Sequence, residues 1–123
     1  MPLRALRGAT TVEENHPEAI WEATQELLVS LLQANQLDPE AVISAIFTVT
    51  PDLTAAFPAT AARRLGWDAI PLLDMLAPPV EGDLPRCIRV LLHVETSLGP
   101  EHLRHVYLRR ARQLRPEWAG KPL

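Results

Sequence analysis

The stretch Cys87-Ile88-Arg89-Val90-Leu91-Leu92-His93-Val94-Glu95-Thr96 decides the fold class. Its aliphatic and β-branched side chains favour extended backbone. The nearly unbroken apolar run predicts a strand buried on both faces. Such a strand needs neighbours in a sheet and a layer of helices over them. Arg89 sits inside this run. A charge there is costly unless it meets an opposite charge or an anionic ligand.

Upstream, residues 3–12 read as a second strand, carrying Leu6, Thr10, Thr11 and Val12. Gly8 within it predicts a bulge or a close approach of another element. Arg7, beside Gly8, poses the same problem as Arg89. Two arginines on neighbouring strands would form a compact anion pocket. Pro17 then opens a helix reaching about Asn35, with Ile20, Ala23, Leu27, Leu28, Leu31 and Leu32 at helical spacing. Asp38-Pro39-Glu40 predicts a short helix with Asp38 as its N-cap, followed by a strand over residues 43–50. Pro58 opens a helix that carries Arg63 and Arg64 and stops near Gly66. Residues 69–75 read as a strand interrupted by Pro71, hence an edge or bent strand.

A loop marked by Pro78, Pro79, Gly82 and Pro85 leads into the central strand. Beyond it, Pro100-Glu101 predicts a last helix to about Leu108, and the segment from Ala111 a short final strand. The order is β-α-(α)-β-α-β-β-α. It places the chain in the mixed α/β or α+β class, with a single sheet covered by helices. A sheet this small, covered on one face, calls for a subunit partner on the other.

The chain has 123 residues, enough for one domain spanning 1–123. Hydrophobic residues make up 47% and charged residues 22%, the balance of a globular protein. The net charge of −3 argues against a general nucleic-acid binder. No apolar run is long enough to span a bilayer, and the first residues lack the apolar core of a signal peptide. Cys87 is the only cysteine, so no intrachain disulfide forms. A cytoplasmic location is the expectation. Cys87 and the tryptophans, Trp21, Trp67 and Trp118, are assigned to packing.

No serine lies in a Gly-x-Ser-x-Gly elbow, and no glycine-rich phosphate loop is present. His102 and His105, three apart on the expected last helix, would make at most half a metal site, so no metal is expected. Arginine stands out instead. Eleven of the twelve basic residues are Arg. Its planar fork suits carboxylates in a dry site. The residues alone therefore reach an acidic small-molecule site and stop there.

The opening block, Arg4-Ala5-Leu6-Arg7-Gly8-Ala9-Thr10-Thr11-Val12-Glu13, resembles the N-terminal signature of monofunctional chorismate mutases of the trimeric α/β class. Further blocks agree in order and spacing. They are Phe47-Thr48-Val49-Thr50-Pro51-Asp52-Leu53 with Phe57-Pro58-Ala59, Pro85-Arg86-Cys87-Ile88-Arg89-Val90, and Arg104-His105-Val106-Tyr107-Leu108 with Leu114-Arg115-Pro116. The match covers nearly the whole chain. It implies a homotrimer forming a pseudo α/β-barrel, one mixed sheet per subunit, and active sites at the subunit interfaces. The implied reaction converts chorismate to prephenate by a concerted [3,3] rearrangement, with no cofactor, no nucleophile and no proton transfer.

The resemblance also implies roles. Arg89 would stabilise the charge growing on the ether oxygen. Arg7, assisted by the Tyr107 hydroxyl, would hold the side-chain carboxylate. Arg63 and Arg115 would steer and cover the other carboxylate at the mouth. Phe57, Ala59, Leu73 and Leu114 would wall the ring. A tail from about residue 116 is expected to be mobile.

This sequence departs from the family in two places. Ala77 stands where relatives carry a glutamate that contacts the substrate hydroxyl and balances the arginines. Asp74 stands where they carry a cysteine or another small residue, and reads as a relocated carboxylate that meets Arg89 and the hydroxyl. Thr60 falls where some relatives have a lysine at the pocket mouth. The alternative is a non-catalytic trimer that binds chorismate-like acids as a sensor, with Ala77 as its support.

Overall fold

The computed structural model describes residues 2–116. Five strands form one mixed sheet: β1 (Leu3–Thr11), β2 (Val42–Val49), β3 (Leu72–Leu76), β4 (Cys87–Glu95) and β5 (Val106–Tyr107). The spatial order is β3-β2-β4-β1-β5. The expected central strand, β4, runs antiparallel to both β1 and β2, while β5 joins β1 and β3 joins β2 in parallel. Two helices, α1 (Pro17–Ala34) and α2 (Pro58–Arg64), lie on one face.

The sequence explains that coverage. Leu27, Leu28 and Leu31 of α1 meet Leu6, Phe47, Val90 and Leu92 in the main core. Each such side chain contributes about 1.5–3 kcal/mol on burial. At Gly8 the helix packs close on the sheet: a Cβ there would lie 2.8 Å from Leu31 Cδ1. The close approach expected at Gly8 is therefore present. The one register irregularity of these ladders falls in β2, between Val42 and Ser44. As Pro71 foretold, β3 is an edge strand, and it starts just after the proline.

Several expectations fail. The helix expected from Pro100 to Leu108 is only a 3₁₀ turn, Pro100–His102, followed by β5. Asn35 explains this. Its side chain accepts from Arg104 N at 2.8 Å and donates to the Arg104 carbonyl at 2.9 Å, clamping that peptide to the end of α1. The β-favouring pair Val106-Tyr107 then docks beside Gly8 and Ala9. His102 and His105 do not share a helix. His105 Nδ1 accepts from Arg7 N at 3.0 Å.

The strand expected from Ala111 is a 3₁₀ turn, Arg109–Gln113, begun by a left-handed Arg109 at φ 53°. Asp38 makes no side-chain cap, because the helix it would start is a three-residue turn that runs straight into β2. β4 is not buried on both faces: Arg89, Leu91 and His93 alternate as half-buried residues. The tail and Trp118 lie outside the described residues.

Candidate active site

Side chains alternate across a strand, and cross-strand partners share a face. The register therefore puts Arg7 and Ala9 of β1, Arg89, Leu91 and His93 of β4, and Thr48 of β2 on the face away from the helices. Arg7, Arg89, Ile46, Thr48 and Leu91 line a cavity of about 340 Å³ there. The Thr48 hydroxyl, cross-strand from Arg89, is buried and makes no hydrogen bond among the described residues. Tyr107 pairs with Ala9 and is buried with Leu84, Cys87 and Ala111, and Leu114 packs against them.

Arg89 has a carboxylate partner that the sequence reading missed. Its Nη2 lies 3.0 Å from Asp83 Oδ1. Asp83 comes from the proline-rich loop between β3 and β4, which folds back over the open face. Asp52 helps pin that loop: its Oδ2 accepts from Arg86 N at 2.9 Å, and its Oδ1 from the Thr50 hydroxyl. The only signal for Asp83 was a carboxylate six residues before Arg89, within a turn-rich segment. Burial pushes the Cys87 thiol up to about 11, although the Arg89 cation pulls the other way.

A second cluster forms at the β3 edge. α2 lies with its N-terminus beside Asp74, whose Oδ1 accepts from Ala59 N at 3.0 Å. Burial raises the Asp74 pKa, against the lowering effects of the Ala59 N–H and the Arg63 charge. Asp74, Phe57 and Thr60 line an open groove of about 600 Å³, with Trp21, Met75 and Leu76 as apolar walls. Arg64 stacks on the Trp21 ring at 3.9 Å.

The candidate residues thus fall into two groups. Arg7, Arg89, Tyr107 and Leu114 gather on the open face, and Arg115 follows Leu114 in the chain. Phe57, Ala59, Thr60, Arg63 and Asp74 gather at the α2–β3 edge. Leu73 pairs with Ile46, so it shares the arginine face but sits at the β3 margin. Asp74 and Arg89 are not partners within the chain. Asp74 pairs with Phe47, on the helix-covered face, whereas Arg89 points to the open one.

The family model for chorismate mutase type I matches residues 3–118. The chain belongs to this family. It is 53% identical over 116 residues to chorismate mutase AroH of Thermus thermophilus, covering 94% of this chain and 95% of that one. It is 42% identical over 118 residues to chorismate mutase AroH of Bacillus subtilis, covering 95% and 93%. A solved chorismate mutase from Clostridium thermocellum superposes with a TM-score of 0.88 at 46% identity, covering 89% of this chain and 98% of that one. Membership of the chorismate mutase family makes the chain an isomerase, and the arginine face supplies charges suited to a dicarboxylate. Among the described residues no group of three or more His, Cys, Asp or Glu could hold a metal, and no helix is long and apolar enough to cross a membrane.

Proposed function

We infer that the isomerisation of chorismate to prephenate, the activity of this family, takes place here in a site that two copies of the chain complete. The observation that carries this reading is the separation of the two clusters. β3 and β1 are three strand spacings apart, about 14 Å, and Arg7 and Asp74 lie on opposite faces of the sheet, so one small dicarboxylate does not touch both in the same chain. The β3 edge and the loop before α2 also expose Phe57 at 67%, Leu73 at 55% and Leu76 at 65%. Packing the edge of one subunit against the arginine face of the next would cover these side chains and bring the clusters together. A closed homotrimer repeats that contact three times.

In such a site Arg89 stabilises the ether oxygen as its C–O bond breaks, and Arg7 with Tyr107 holds the side-chain carboxylate. Arg63 and Arg115 attract and cover the other carboxylate. Phe57, Ala59, Leu73 and Leu114 confine the ring in its reactive conformation, and Thr60 lines the mouth. This is conformational trapping plus preorganised charge. No cofactor takes part, and neither nucleic acid nor membrane is a partner. The setting is cytoplasmic aromatic amino-acid synthesis.

Asp74 replaces the glutamate missing at Ala77. Its carboxylate, fixed at the head of α2, faces the substrate hydroxyl and the neighbouring subunit's arginine. The test follows the loss of chorismate absorbance, with prephenate identified as product, for the parent and for Asp74→Asn. The parent is expected to turn over, and the variant to lose most of its kcat. Because the Asp74 pKa is raised, the acid limb of the parent's profile should lie above the ordinary carboxylate value of 3.8 and vanish in the variant. Equal rates would make Asp74 incidental. An inactive parent that still binds chorismate would favour the sensor reading.

A further inference from the structure

Arg89 reaches its place from a half-buried position on β4, at the end of a long side chain with several rotatable bonds. A cation aimed at a developing charge helps only if it is already in position. Arg7, on the same open face, repels it. Something must hold the guanidinium, and Asp83 is the group in contact with it, at 3.0 Å.

That carboxylate is itself held. Asp83 Oδ1, the atom that meets Arg89, also accepts from Leu84 N at 2.8 Å. Asp83 N donates to the Val80 carbonyl at 3.1 Å. The next residue, Leu84, is buried with Ala9, Cys87 and Tyr107, and two residues on Arg86 donates from Nε to the Val12 carbonyl at 3.0 Å. The oxygen that takes Arg89 is therefore placed by the backbone. Among the described residues the contact uses one Nη2 hydrogen, leaving four of the five guanidinium N–H groups for an anion.

We propose that Asp83 is a positioning residue that aims Arg89 at the reacting ether oxygen. The proposal rests on the reading of Arg89 as the charge that stabilises the transition state. Asp83 touches no reacting atom. It acts by restricting the guanidinium, so its loss lowers kcat more than it changes KM. The acceptor oxygen is what matters, and asparagine keeps an oxygen at that place.

The test compares full-length parent, Asp83→Ala, Asp83→Asn, Arg89→Ala and the Asp83→Ala/Arg89→Ala double variant by steady-state chorismate turnover. Thermal melting of each checks the fold. Asp83→Ala should lose about tenfold or more in kcat, up to the roughly hundredfold that a misplacement of about 1 Å can cost, with KM within about threefold and Tm close to parental. Asp83→Asn should recover most of that loss. In the Arg89→Ala background, Asp83→Ala should add nothing.

A parental kcat in Asp83→Ala beside a crippled Arg89→Ala overturns the role of Asp83 alone. So does a fall in KM with kcat unchanged, which would make Asp83 a competitor of the substrate anion. An equal loss with and without Arg89 would assign Asp83 to structure. A parental kcat in Arg89→Ala would overturn the reading of Arg89 and this proposal with it.

Discussion

The arginine face and the α2–β3 edge are built on opposite principles. The arginine face is rigid from behind. β1 and β4 are paired over nine residues each, backed by α1, and overlaid by the loop that carries Asp83. Its cations are half-buried and one is ion-paired. The edge is backed on one side only, and it exposes large apolar side chains, among them Phe57 and Leu76. Preorganised charge needs the first kind of setting. A surface meant to be covered by another copy has the character of the second. On the proposed reading, the arginine face supplies the electrostatics and the edge the enclosure.

The sharpest break of that division is Arg89→Ala. If Arg89 is the principal charge, as proposed, its removal with the edge intact should lower kcat by about 10³, the scale seen when a main transition-state donor is lost. A neutral isostere should fail as well, because the charge is the active property. A variant that kept more than a tenth of parental kcat would show that confinement alone carries catalysis.

The next test asks whether the two regions meet across subunits. Arg89→Ala and Asp74→Asn, each impaired alone, should complement when denatured and refolded together. Random assembly pairs an intact arginine face with an intact edge in about a quarter of interfacial sites. The mixture should therefore approach a quarter of parental turnover, while each variant refolded alone stays low. Absence of recovery would mean that each site is made within one chain.

How far the sequence carried this picture can be judged from the same two regions. The arginine face was legible because a charge inside an apolar strand is a physical anomaly, and Arg89 and Arg7 announced themselves that way. Gly8 announced the helix approach behind them. The edge was legible as a strand margin through Pro71. What escaped was long-range polar contact. Nothing local shows that Asn35 will clamp the Arg104 peptide and turn an expected helix into β5. Nothing local shows that a proline-rich loop will lay Asp83 on Arg89. Nor does spacing alone reveal that Asp74 and Arg89 fall on opposite faces of one sheet; that follows from the register of β2 with both neighbours.

Gly8→Ala probes the backing of the arginine face. The added Cβ would sit 2.8 Å from Leu31 Cδ1, 3.1 Å from Leu27 Cδ1 and 3.3 Å from the Val106 carbonyl, so these buried leucine side chains must shift and the β5 backbone must yield slightly. Overpacking of this kind costs about 1–3 kcal/mol, readable as a lower denaturation midpoint. If the rigid backing matters for aiming Arg7 next door, turnover should fall by more than the loss of folded protein. A loss of stability with unchanged turnover per folded molecule would separate the packing behind the face from the charges in front of it.

The smallest effect concerns Cys87, where the packing of that face meets its charge. Burial holds the thiol protonated up to about 11, against an ordinary value of 9.0, and only the Arg89 cation pulls it back. The unfolded chain therefore releases this proton first as pH rises. Stability should decline as pH climbs through 9.0 and go on declining until the folded thiol also titrates, near 11. Urea melts at pH 8 and pH 10 should show the parent losing more than Cys87→Ala over that interval, and a thiol reagent at pH 8 should leave the native protein unmodified. Removing Arg89 takes away the cation that lowers this value, so Arg89→Ala should make the thiol still less acidic. Rapid labelling of the native parent at pH 8 would mean that the layer of Leu84, Tyr107 and Ala111 opens readily, and that the arginine face is not the rigid partner in the comparison.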